Sequence, residues 1–128
     1  MKKIVATTEA PEAIGPYNQA IIDPKSGLIF TSGQIAIDPK TGELAGTDIS
    51  SQTRQTLANL KAVLIAAGSG LENSVKVVVY LTDLNDFSEM NKIYAEYFGK
   101  DFPARATVQV SKLPKDALIE MEVVALSR

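Results

Sequence analysis

The chain has 128 residues, 45% of them hydrophobic, and a formal net charge of −2. That length is most simply one domain spanning 1–128, with enough apolar content for a core and none of the bias of a disordered or fibrous chain. It contains no histidine and no cysteine, which removes Ser-His-Asp and Cys-His triads, histidine acid–base chemistry and zinc sites built on those ligands.

In chain order, "KKIVA" (Lys2 to Ala6) predicts a short strand, followed by a polar, proline-punctuated turn to Gly15-Pro16. "YNQAIID" and "LIFTSGQIAI" read as two strands flanking the hairpin connection "PKSG", and "DPKTGEL" gives a second turn. From Asp48 to Ala67 the period changes. Ile49, Thr53, Leu57, Leu60, Leu64 and Ala67 recur at three- and four-residue steps, with Gln52, Gln55, Asn59 and Lys61 elsewhere. The pattern predicts an amphipathic helix, capped by Asp48 or Ser50 and ended by Gly68. "SVKVVVYLTD" (Ser74 to Asp83) is the most β-branched run and predicts a central strand.

A second helix follows over 86–98, with Phe87, Met90, Tyr94, Tyr97 and Phe98 as its stripe and Gly99 as its stop. "RATVQVSKL" and "ALIEMEVVALS" are closing strands joined across "PKD". The order βββ-α-β-α-ββ predicts an α+β fold in which two helices cover one face of a single sheet. Yet both faces of the strands are apolar. Val75, Val77, Val79 and Leu81 oppose Val78 and Tyr80, while Ile119, Met121, Val123 and Ala125 oppose Leu118, Val124 and Leu126. The second face therefore packs on another subunit or lies under the N-terminal hairpin, and the pattern favours the subunit.

Other classes fall away by motif. The sequence shows no signal-peptide h-region, no apolar run of transmembrane length, no calcium loop and no glycine-rich nucleotide loop. Without cysteine the chain suits a reducing cytoplasm. Lysines and arginines form no basic stripe, which disfavours nucleic acid as a partner. Any chemistry must come from carboxylates, Lys, Arg, Tyr, Ser/Thr, Asn/Gln, backbone groups and water.

Arg105, in "FPARATVQV", is one of three arginines. It is either a solvated charge on an edge strand or, if it lies on the second sheet face, a partly desolvated fork awaiting an anion. Glu120 and Glu122 interrupt the apolar run "LIEMEVVAL" on one face. They read as an exposed stripe, as a salt bridge to Arg105 or a lysine, or as a water-activating base, and their spacing does not choose between them. Tyr17 in "IGPYNQA" reads first as a packing residue with a surface hydroxyl. Ser32-Gly33 inside an apolar strand marks a bulge or a close approach, and Asn91 sits within the second helix beside Met90.

Taken together, "AIGPY", "TSGQI", "DPKTGEL", "DLNDFSEMN" and "PARATVQVSKLPKDALIEMEVVA" resemble the Rid/YjgF family of reactive imine deaminases, of the arginine-containing type, over nearly the whole chain. The resemblance implies a chorismate-mutase-like fold assembled as a homotrimeric barrel, sheets inside and helices outside, with three clefts between subunits. It places the family's carboxylate-binding arginine on Arg105, its water-positioning glutamate on Glu120 and its cleft tyrosine on Tyr17. The Ser-Gly pair falls on Ser32-Gly33 and the helix asparagine on Asn91. Thr107 stands where many relatives have cysteine, a position contributing backbone contacts, so a thiol mechanism is excluded.

The implied activity is hydrolysis of 2-aminoacrylate-type enamines and imines to 2-oxo acids and ammonia, with no cofactor and no metal. Water attacks such species unaided. A catalyst need only anchor the carboxylate, position a water and manage a proton. Two other classes compete: a non-catalytic sensor binding 2-oxo acids in the same clefts, and an RNA-acting protein, which the acidic balance and missing histidine disfavour.

Overall fold

The computed structural model describes residues 1–128, and the predicted element order is the observed one. Strands β1 (Lys3–Val5), β2 (Ala20–Asp23) and β3 (Leu28–Thr31) precede helix α1 (Ile49–Ala66). Strand β4 (Ser74–Leu81), helix α2 (Phe87–Phe98), β5 (Ala104–Gln109) and β6 (Ile119–Leu126) complete the chain. The strands form one six-stranded sheet in the order β1-β2-β3-β6-β4-β5, antiparallel except for the parallel pair β4 and β5 that α2 connects. The closing strands do not neighbour each other, because β6 inserts between β3 and β4 and leaves β5 at the edge. No helix is long and apolar enough to cross a membrane.

Helix α1 begins at Asp48, whose Oδ1 accepts from the Ser51 amide at 2.8 Å, so Asp48 rather than Ser50 is the cap. Gly68, at φ +78°, turns the chain away one residue after the C-cap. The apolar stripe Leu57, Leu60, Val63 and Leu64 meets Met90, Ile93, Tyr94 and Phe98 of α2 above the inward faces of β4 and β6. Two residues assigned to the helix's polar side are buried as well. Gln52 donates to Gly46 O and accepts from the Leu118 amide, and Asn59 donates to Ile35 O and Ile37 O. Hydrogen bonding offsets their desolvation and fastens two loops to the helix.

The second sheet face differs from one of its two expectations. The N-terminal hairpin does not lie over it, because β1 and β2 extend the same sheet edgewise from β3. The face therefore stands open. Ile4 pairs with Ile21, Ile21 with Phe30 and Phe30 with Val124 on that side, where Phe30 is 46% exposed and Leu126 47%. Val75 also departs from its expected row. A bulge between Ser74 and Lys76 takes it out of register, and it is 40% exposed while Val77, Val79 and Leu81 are buried.

Leu60 is fully buried in this core, so Leu60→Ala is expected to cost about 2–5 kcal/mol. Val75→Ala is expected to stay within about 0.5 kcal/mol. Urea midpoints of the two variants check the contrast.

Candidate functional site

The candidate residues separate into two groups, and the separation follows from strand register. On β5, Arg105 lies opposite Val77 and Thr107 opposite Val79. Both side chains therefore share the helix-covered face rather than the open one, which corrects the placement considered for Arg105. On β6, Glu120 lies opposite Tyr80 and Glu122 opposite Val78, on the open face. A salt bridge from Arg105 to either glutamate is thereby ruled out within one chain. The four ion pairs of the molecule are Arg54–Glu96, Lys92–Glu89, Lys112–Asp116 and Arg128–Glu72. Two strand spacings and three residues along the strand put the Arg105 and Glu120 backbones roughly 14 Å apart.

Arg105 is half-buried against α2. Its Nη1 donates to Asn91 Oδ1 at 2.8 Å, and its Cζ lies 4.7 Å from the Tyr94 ring centroid and 5.5 Å from that of Phe87. Asn91 is thus brought to the arginine as expected, as an acceptor on its flank. The Thr107 hydroxyl, two residues along the same strand face, is buried without a hydrogen-bond partner, and so is the Tyr94 hydroxyl. Burial raises the Tyr94 phenol's pKa, while the nearby guanidinium pulls it back down.

The second group gathers where β3 breaks. Strand β3 ends at Thr31, and pairing resumes only at Gln34, whose amide and carbonyl bond Met121 at 2.9 and 3.1 Å. The interrupting pair is Ser32-Gly33. Ser32 Oγ donates to Asn18 O at 2.5 Å, and its amide donates to Gln19 O, tethering the segment that carries Tyr17. Gly33 leaves room for Glu120: a Cβ there would stand 2.7 Å from Glu120 Oε2. Tyr17, Gly33, Gln34, Ile35, Lys115 and Glu120 all line a cavity of about 700 Å³. Neither Arg105, Asn91 nor Thr107 reaches it.

The two glutamates, equivalent in sequence, are distinct in space. Glu122 accepts a hydrogen bond from the Tyr80 hydroxyl, which with burial pushes the Tyr80 pKa up to about 12. No ion pair of the chain ends on Glu120. Burial, reinforced by the neighbouring Glu122 charge, raises its pKa above the usual carboxylate range. A half-buried carboxylate without a cation, facing a cavity, is suited to taking a proton from water and returning it. Sequence reasoning left out Tyr80, whose pairing with Glu122 depends on register, and assigned Phe87 and Tyr94 only to the helix core. A second cavity, of about 590 Å³, lies on the helix side of the molecule. Its arginines, Arg54 and Arg128, are already neutralised by Glu96 and Glu72.

Comparison with known proteins adds an independent line. The family model described as endoribonuclease L-PSP matches residues 7–127. A RutC family protein of Pyrococcus horikoshii is 57% identical over 126 residues, covering 98% of each chain. Human 2-iminobutanoate/2-iminopropanoate deaminase is 44% identical over 98% of this chain and 90% of its own. The crystal structure of Escherichia coli TdcF with bound serine superposes with a TM-score of 0.92 at 43% identity, covering 98% of this chain and 99% of that one.

The raised pKa of Glu120 has a stability consequence with a definite sign. The folded chain holds this proton more tightly than the unfolded chain, whose carboxyl titrates near the ordinary 4.5. Its contribution is therefore complete below that value and is lost as pH rises through the folded pKa. Glu120→Gln is expected to flatten this part of the stability–pH curve and to raise stability at neutral pH. Urea unfolding of both proteins from acidic to neutral pH measures the difference.

Proposed function

The chain belongs to the Rid/YjgF family, and from that premise we propose that it is a hydrolytic deaminase of reactive 2-imino and enamine acids. The observation that carries the proposal is Glu120: half-buried, free of any cation and aimed past Gly33 into the cavity that Tyr17 lines. The reaction adds water to the C=N carbon of a 2-imino acid and then expels ammonia, leaving a 2-oxo acid. An enamine substrate is protonated at its terminal carbon first. Glu120 relays both water protons to nitrogen, the first as water adds to give the carbinolamine and the second from its hydroxyl as ammonia leaves, for which its raised pKa is suited. Tyr17 and Gly33 line the cavity, and Ser32 tethers the segment that carries Tyr17.

Arg105 anchors the substrate carboxylate through its two-pronged fork, flanked by Asn91 and Thr107. It stands on the opposite sheet face from Glu120, so this site closes only when Arg105 of one chain meets Glu120 of another. The open apolar face and the unpaired edge of β5 support such an assembly, and the family resemblance supports a homotrimer with three clefts. The serine bound to the E. coli relative is itself a carboxylate-bearing amino acid, which fits the anchoring role. The family description also names an endoribonuclease. Two of the three arginines here are tied to glutamates and the chain lacks histidine, so no observation favours that reading.

Turnover of enzymatically generated iminopyruvate, read against buffer alone, tests the activity. Binding of 2-oxo acids without turnover would indicate a ligand sensor instead. Glu120→Gln is expected to abolish most turnover while leaving 2-oxo acid binding largely intact, and Glu122→Gln to be the milder change. Greater damage from the Glu122 variant would show that the wrong carboxylate has been chosen.

A charged hydrogen-bonded contact contributes about 1.5–3 kcal/mol, so Arg105→Ala is expected to weaken 2-oxo acid binding about ten- to a hundredfold. Arg105→Lys should recover only part of the loss, because it keeps the charge but not the fork. Calorimetric titration of the folded variants reads both outcomes, and unchanged affinity would remove Arg105 from the site.

A further inference from the structure

Phe87, Asn91 and Tyr94 recur at i, i+4 and i+7 on α2, a spacing that places all three on one helix face. The sequence pattern assigns two of them to the core stripe. In the fold they do something additional: all three surround the Arg105 side chain. Asn91 takes one guanidinium nitrogen at 2.8 Å, while the Tyr94 and Phe87 rings lie 4.7 and 5.5 Å from its central carbon. Tyr94 is only 4% exposed and is itself held by Phe98, whose ring centroid is 4.4 Å away. Its ring is therefore a fixed surface, whereas Phe87 forms the outer, more exposed wall.

We infer that Phe87 and Tyr94 are positioning residues, whose ring faces hold the guanidinium so that the nitrogens not used by Asn91 remain aimed at the ligand's carboxylate. This rests on the anchoring role proposed for Arg105. An arginine side chain has several rotatable bonds, and immobilising one on binding weakens affinity. A guanidinium already held between two rings and an amide has lost that freedom beforehand. The negative ring faces add electrostatic attraction, stronger where water is excluded. The phenolic oxygen of Tyr94 is buried without a well-aligned hydrogen-bond partner, although the guanidinium lies close enough to lower its pKa.

The test uses the full-length protein with pyruvate as the probe and reads two quantities. One is affinity by calorimetric titration. The other is the order of the Arg105 Nε–H, measured by its heteronuclear NOE in a chain that has only three arginines to resolve. Tyr94→Phe keeps the ring face and is expected to lose much less in both than Tyr94→Leu. Tyr94→Leu and Phe87→Leu are expected to loosen the Nε–H and to weaken pyruvate binding about two- to thirtyfold. Phe87 lies at the surface, so its variant keeps the test open if the Tyr94→Leu chain fails to fold. The inference is overturned if the Nε–H of the folded leucine variants stays as ordered as in the wild type, or if their affinity is unchanged. It is equally overturned if Tyr94→Phe loses as much as Tyr94→Leu. Failure of the anchoring role would look different: Arg105→Ala would leave pyruvate affinity unchanged, whatever the Nε–H order showed.

Discussion

Side chains alternate across a β-sheet, and that alternation governs everything proposed for this molecule. Arg105 shares a face with Val77 and the helices, whereas Glu120 shares the other with Tyr80. No rotamer change carries one through the sheet to the other. A chemistry needing both groups must recruit them from different chains, so in this account assembly and function are a single requirement. The surface is arranged accordingly. The helices spend their apolar stripes on one side only, leaving Ile4, Ile21, Phe30, Val78, Val124 and Leu126 available on the other.

Electrostatics then separates two carboxylates that are neighbours on one strand. Glu122 is satisfied by the Tyr80 hydroxyl, while Glu120 is left without a cation in a part-buried site where the adjacent negative charge further disfavours its ionisation. The glycine at position 33 is what permits that carboxylate to lie where it does, since a methyl group there would displace it. Glu122 thus tunes a neighbour without entering the cavity itself.

Much of this was legible in the sequence, and the parts that were not share a cause. Helix periodicity located α1 and α2 within a residue or two, and the β-branched run located β4, because local spacing determines which face is buried. The row containing Val75 was misread because one extra residue at a bulge shifts parity, and no local signal marks it. The face of Arg105 is not fixed locally either. Only its parallel register with β4, set by the α2 crossover, fixes which way it points. Gln52 and Asn59 lie off the apolar stripe in the sequence, yet both are buried. Their partners, Gly46, Leu118, Ile35 and Ile37, are distant in sequence. Lys115 and Asp116 adopt left-handed backbone at φ 57° and 56°, a conformation that neither residue type announces. The site assignments rest on resemblance, and the geometry gives Glu120 and Glu122 different surroundings.

The central claim, that Arg105 and Glu120 act together across a subunit boundary, is tested most directly by mixing two inactive chains. Arg105→Ala subunits keep the glutamate, and Glu120→Gln subunits keep the arginine. Each variant alone should assemble but turn over little iminopyruvate at low substrate concentration. In randomly mixed cyclic trimers, every mixed assembly contains one junction with both groups intact, which restores roughly a quarter of the wild-type sites. Recovery of activity near that level is the predicted result. Mixed trimers verified by native mass spectrometry that remain as inactive as either parent would contradict the account.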